Sequence, residues 1–154
     1  VQTLAKNCEP RLITIDGTNY ILAAGTTDVN SGPIDTMGYG GVLILMHCGT
    51  MAASSSVDAK LQQSSDNGSA DDYSDILGSA LTQVGATDDD KLLAWDVRAA
   101  KKRYLRVATT RGDGGNATIN SLVAILYNPA QGAPTVGATV KALEVFSEPA
   151  EGTA

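Results

Sequence analysis

Short stretches in which apolar and polar residues alternate run along most of this chain, separated by clusters of Gly, Pro, Asn and Asp. Nowhere do apolar residues recur at helical spacing over a long window. In residues 56 to 64, SVDAKLQQS, Val57, Ala59 and Leu61 fall on one side and Asp58, Lys60 and Gln62 on the other. The same period of two sets Leu93, Trp95 and Val97 of LLAWDVR against Asp96 and Arg98, and Leu105, Val107 and Thr109 of YLRVATT against Tyr104 and Arg106. Each predicts a half-buried strand with one wet face. GVLILMHCG is apolar throughout and predicts a buried strand, and ATINSLVAILYN alternates at first but is apolar on both faces from Leu122, as for a strand passing from an edge into a covered centre.

Weaker signals fill the remainder. RLITI and NYILAAG flank Asp16-Gly17-Thr18 and predict a hairpin, TVKALEVFSEP predicts a last strand, and YSDILGSAL fits a short strand or a single helical turn. Residues 64 to 72 and the TDDDK run predict loops. Residues 1 to 12, containing Pro10 and lacking any period, predict an extended N-terminal arm, residues 13 to 149 the folded domain, and 150 to 154 a flexible tail. About eight strands with no long helix predict an all-β chain, an antiparallel β-sandwich of the jelly-roll kind.

At 154 residues the chain has the size of one domain. With a single Phe and a single Trp, its core must come from Ala, Val, Leu, Ile and Thr, which suits thin layers of sheet. No run of 18 apolar residues occurs and the first residues lack the order of a signal peptide, so the expectation is a soluble protein made in a cytoplasm. The net charge of −6 conceals a segregation. Residues 61 to 90 hold seven Asp and no Lys or Arg, whereas 91 to 111 hold seven Lys or Arg. The overall acidity speaks against nucleic acid, while opposite patches on one small domain suit contact with copies of itself or with a charged protein lattice. Two independently solvated loop regions are the plainer alternative.

The candidate chemistry is sparse. His47 is the only histidine and lies in an apolar run, so it predicts a packed or rim residue, and no triad can be assembled without it. Cys8 and Cys48 predict reduced structural thiols, or a disulfide formed after release from the cell. The Asp runs at 66 to 75 and 88 to 90 lack the order of a calcium loop. GYGG lacks the helix and lysine of a phosphate loop. The expectation is therefore no enzyme, with no catalytic, cofactor or metal residues and no cofactor. The Arg-Gly-Asp at 111 to 113 sits in TTRGDGGNAT between two alternating stretches, and predicts a hairpin connection rather than an adhesion signal.

The run from SGPIDTMGYGGVLILMHCGT through SVDAKLQQSSDNGSADDYSDILGSALTQV to WDVRAAKKRYLRVATT, within residues 28 to 128, resembles small jelly-roll or β-sandwich decoration (cement) proteins of tailed double-stranded-DNA bacteriophages. That resemblance implies a virion structural protein on the outer capsid surface, assembled in the host cytoplasm. It would bridge neighbouring copies of the major capsid protein, form a homo-oligomer (a trimer rather than a dimer), and bind neither nucleic acid nor membrane. Arg98, Lys101, Lys102, Arg103, Tyr104 and Arg106 are the candidate interface, since Tyr and Arg are favoured where proteins meet. The alternative is a tail or baseplate adsorption module that binds a cell-surface glycan, for which five Tyr and one Trp are a thin supply of stacking surfaces.

Overall fold

A computed structural model describes residues 4 to 134 and 137 to 145. After a short 3-10 turn over Leu4–Lys6, the chain forms eleven strand segments: β1 (Cys8–Leu12), β2 (Leu22–Gly25), β3 (Val29–Asn30), β4 (Ile34–Asp35), β5 (Tyr39–Met51), β6 (Ser56–Ser64), β7 (Ser74–Asp75), β8 (Val84–Gly85), β9 (Leu92–Arg98), β10 (Tyr104–Gly112) and β11 (Ala117–Pro129). They build two antiparallel sheets. One, sheet A, has the order β1-β11-β5-β9 with β2 also on β11; the other, sheet B, has β3-β10-β6-β7 with β4 on β10 and β8 on β6.

The segments β1 and β2 are two pieces of one edge, as are β3 and β4, and β7 and β8. Counted so, eight strands remain, in the orders first-eighth-third-sixth and second-seventh-fourth-fifth. That interleaving of two Greek keys is the jelly roll, and the expected all-β sandwich is the observed fold.

The alternation within each strand decides what lies between the sheets. Val42, Ile44 and Met46 of β5 and Leu122, Ala124 and Leu126 of β11 meet Val57, Ala59 and Leu61 of β6 and Leu105 and Val107 of β10, all buried. Removing each large aliphatic chain from water contributes roughly 1.5–3 kcal/mol. Trp95 closes the core at the β9 edge, its indole N–H satisfied by the Ser79 carbonyl at 2.7 Å.

Four local expectations are corrected. Residues 8 to 12 are not an arm but a strand, since β1 pairs with β11 from Cys8 opposite Tyr127 to Leu12 opposite Val123, and the sandwich begins there rather than at residue 13. Pro10 is tolerated because β1 is an edge, where one side of the backbone needs no ladder partner. A turn does form at Asp16, whose carboxylate accepts from the Thr18 and Asn19 amides, with Gly17 at φ 82°, but the flanking segments share only one backbone bond across it among the described residues, Ile15 N–H to the Asn19 carbonyl (2.7 Å), and form no strand ladder with each other. Both lie against β11, and residues 14 to 21 leave that edge after the Ile13 N–H bond to the Leu122 carbonyl (2.8 Å) and rejoin it at Leu22.

The third correction concerns the Arg-Gly-Asp loop. Strands β10 and β11 belong to opposite sheets, so residues 113 to 116 form an arch over the end of the sandwich rather than a hairpin. A second arch, residues 52 to 55 between β5 and β6, packs against it through Ala52 N–H to the Asn116 carbonyl (2.9 Å) and Gly115 N–H to the Ser54 carbonyl (3.1 Å). Finally, residues 139 to 145 carry no strand; residues 146 to 149 of the expected last strand, and the expected tail, lie outside the described residues.

Candidate functional site

The two outer faces of the sandwich differ in chemistry. On sheet B the outward positions are polar and linked to one another. Lys60 Nζ pairs with Asp75 at 2.6 Å, Gln62 donates to the same carboxylate at 2.8 Å, Arg106 Nε donates to Gln62 Oε1 at 2.8 Å, and Gln83 donates to Asp58 at 2.8 Å. Such a face is satisfied in water.

On sheet A the outward positions follow from the register. Val123 lies opposite Leu45, Ile125 opposite Leu43, and on the far side Leu45 lies opposite Ala94 and His47 opposite Leu92. Pro10 and Leu12 of β1 continue the row beside Ile125 and Val123. Leu43, Leu45, Val123 and Ile125 are half-buried by one another, and Leu92 is 57% exposed. At the β1 side, residues 143 to 145 approach this face and leave an apolar groove of about 420 Å3 lined by Leu4, Cys8, Pro10, Ile125, Leu143 and Val145.

The strand spacing and rise make the face across four strands and seven residues about 450 Å2 in projection; its apolar part is the Leu43, Leu45, Val123 and Ile125 centre with Pro10, Leu12, Ala94 and Leu92, and it is bounded on β9 by Asp96, which lies opposite Leu43 and accepts from the Tyr127 hydroxyl at 2.5 Å. Its signal was present in the sequence as the continuous apolar runs of β5 and β11. Those runs predict cover on both faces; among the described residues one face is covered throughout, and the other only at its β1 side by residues 143 to 145.

The candidate interface residues do not form a single patch. Arg103 makes a two-pronged pair with Asp35 (2.9 and 2.6 Å) and stacks its guanidinium 4.8 Å from the Tyr104 ring centre. Lys102 pairs with Asp71 at 2.7 Å. Acidic loop and basic stretch therefore meet within one chain. The Lys102 ammonium, followed by bonds from the Ser65 amide and hydroxyl, holds the Asp71 carboxyl down at about 2, and Arg103 lowers that of Asp35. Arg106 lies over the Tyr73 ring at 4.1 Å. Arg98 projects at the β9 edge of the apolar face, and Lys101 follows it in an exposed loop.

The remaining sequence candidates take structural places. Arg111 of the Arg-Gly-Asp is 5% exposed. Its guanidinium donates to the carbonyls of Thr27 (2.8 Å), Ala23 (2.9 Å) and Ala117 (2.9 Å), so it cannot be offered to a receptor. Cys8 and Cys48 are free and buried, opposite Tyr127 and Ile119 along β11, a separation of about 27 Å at strand rise that no disulfide spans. Burial raises the Cys8 thiol and pushes Cys48 up to about 11, which leaves both protonated and inert at neutral pH. His47 Nε2 lies 3.6 Å from the exposed Asp90 carboxylate on the rim of the apolar face. Asp88 and Asp89 bind the backbone amides of Gly85 (3.0 Å) and Met51 (2.7 Å). Among the described residues no group of three or more His, Cys, Asp or Glu is placed to hold a metal ion.

A buried polar cluster was not foreseen. Glu9 of β1 is 6% exposed, and it accepts from Arg11 Nε at 2.7 Å and from the Tyr39 hydroxyl. The Arg11 bond lowers the Glu9 carboxyl against the cost of burial, while burial, then the bond to Glu9, pushes the Tyr39 hydroxyl up to about 12.

No protein-family model matches the chain, and no curated protein matches it. Among solved structures it is similar to an Eiger TNF from S. frugiperda at 12% identity with a TM-score of 0.41, over 85% of this chain and 99% of that one. The jelly roll is established by strand order and register.

Proposed function

We propose that this chain is a virion structural protein that decorates a phage capsid and bridges neighbouring copies of the major capsid protein, acting as a homotrimer on the outer capsid surface. The observation that carries the assembly reading is the apolar outer face of sheet A on a sandwich whose opposite face is polar and internally paired. A sheet face of half-buried Leu, Val and Ile gains most by meeting another apolar surface, and many such contacts around a shell add by multivalency. The capsid as destination is supported by the sequence resemblance alone. Arg98 and Lys101 then belong to the rim of the contact, where charge sets association rate and salt sensitivity rather than the strength of the bond. Arg103 and Lys102, already paired with Asp35 and Asp71, brace the domain.

The test uses Leu45→Glu and Val123→Glu, which place a carboxylate at the centre of the face while leaving the interior untouched. Light scattering on a sizing column is expected to give a trimer mass for the wild type and a monomer for both variants, with unchanged circular dichroism. Titration onto undecorated capsids followed by electron microscopy should show occupancy lost in both. A wild type that stays monomeric and decorates nothing, or variants that bind as the wild type does, would remove the reading.

A further inference from the structure

On the side of the molecule away from the apolar face, a cleft of about 620 Å3 opens where three loops meet over sheet B. Its polar lining comes from Thr14, Ser31, Asn67, Asp72, Tyr73 and Arg106. Arg11, Lys60, Lys102 and Arg103 each pair with a carboxylate. Arg106 does not. Its Nε is taken by Gln62 and its plane lies on Tyr73, which fixes the guanidinium, while its two terminal nitrogens have no acceptor among the described residues. In the same cleft the exposed Asp72 carboxylate accepts no hydrogen bond among the described residues. A guanidinium and a carboxylate thus face one space without pairing to each other.

The walls are fixed in advance. Gly32 N–H donates to the Thr14 carbonyl at 2.9 Å, and a Cβ on Gly32 would stand 2.4 Å from Thr14 Oγ1, so the two loops touch where only glycine fits. Ser31 exchanges bonds with Val107, its amide giving to the carbonyl and its hydroxyl accepting from the amide, both at 2.9 Å. On the other wall the Tyr73 hydroxyl donates to Asn67 Oδ1 at 2.8 Å, and Gly68, at φ 77°, lies against the ring edge. Tyr73 is therefore held by Arg106 and by the Asn67–Gly68 turn, and it positions the cationic group. Little ordering remains to oppose binding.

From this geometry we infer that the cleft binds a saccharide unit bearing a carboxylate, of the uronic-acid type. A carboxylate matches the terminal fork of Arg106 in two parallel bonds. The ring hydroxyls both give and take, so they can donate to Asp72 and accept from Thr14 or the Asn67 amide. An isolated small anion would satisfy Arg106 but leave Asp72 unanswered, and a neutral sugar would do the reverse. This inference is independent of the assembly reading, because the cleft lies on sheet B, and it gives the glycan-binding alternative a defined location.

The experiment is a titration of 15N-labelled protein with glucuronate, glucose and acetate, followed by amide shifts. Glucuronate is expected to give saturable shifts at Thr14, Gly32, Gly68 and Tyr73, with glucose and acetate each at least about tenfold weaker, the loss of one charge-assisted contact. Arg106→Lys, which keeps the charge and loses the fork, should weaken glucuronate about tenfold, and Asp72→Asn several-fold, both with unchanged melting temperature. Monomeric Leu45→Glu should bind as the wild type, which separates this result from the assembly test. Acetate binding as tightly as glucuronate, no saturable glucuronate shift, or full affinity in Asp72→Asn and Arg106→Lys would each overturn the inference.

Discussion

At Arg111 a guanidinium is held by backbone alone, with three carbonyls from two separate segments converging on it. Gly25 makes room, since a Cβ there would stand 3.2 Å from an Arg111 terminal nitrogen. Arg111→Lys keeps the charge but cannot reach three acceptors, so it should lower stability by about 2–4 kcal/mol, seen as a lower midpoint in urea. Asp113 next to it sits at φ 63°, a conformation that glycine adopts freely. Asp113→Gly should therefore be neutral or stabilising by a few tenths of a kcal/mol in the same measurement. Cell adhesion through the tripeptide would require the opposite order of sensitivities in a binding assay. In the sequence the three residues stand as one motif, although in the fold the first is buried among carbonyls, Gly112 ends β10 opposite Ser56, and only Asp113 enters the arch.

Strand β1 tests the difference between an arm and an edge. Its five residues close the ladder on β11 and carry Glu9 and Arg11 into the cluster with Tyr39. Deleting residues 1 to 6 should leave the melting temperature nearly unchanged, since the Asn7 carbonyl that accepts from Asn128 N–H is kept, whereas deleting 1 to 12 should lower it by about 5 °C or more, as expected for a loss of about 1 kcal/mol or above. The two arches give a second element-scale test. A Cβ on Gly115 would meet Ala53 O and Ser55 N at 2.5 Å, backbone that cannot move without parting the arches, so Gly115→Ala should destabilise far more than Gly114→Ala in thermal unfolding. The long alternating strands β6, β9 and β10 were legible, because a period of two sustained along a whole segment suits a pleated strand and puts apolar residues on every side of a helix. Segments β3, β4, β7 and β8, two residues each, leave no periodic trace, and β1 was hidden because Glu9 and Arg11 point inward where apolar residues are expected. Of the candidate interface, the composition was legible. Its division between intrachain pairs, an apolar face's rim and a cleft depended on which loop lies over which strand, information that no single stretch contains.

For the molecule as a whole, the intrachain ion pairs predict a response to acid. The carboxyls of Glu9, Asp35 and Asp71 are held below their ordinary values of 4.5, 3.8 and 3.8, so the folded chain binds fewer protons than the unfolded one as pH falls. Their contribution is fully present above about pH 5 and disappears as pH drops towards 2, where Asp71 protonates. Urea midpoints should be flat above pH 5 and fall steadily below it, with Asp71→Asn flattening part of the slope. Assembly through the apolar face should respond otherwise, with a negative heat-capacity change in dilution calorimetry, salt acting on its rate through the rim charges of Arg98 and Lys101. The pairing of β1 with β11, Cys8 opposite Tyr127, also bears on how the molecule comes into being. On a ribosome the sandwich cannot close until β11 has cleared the exit tunnel, so nascent chains wait with sheet edges uncovered and then fold late and together. Pairings this distant in sequence belong to the slow end of domain folding, milliseconds to seconds. That delay makes the interval before closure, rather than the finished subunit, the stage at which crowded synthesis would divert chains into aggregates.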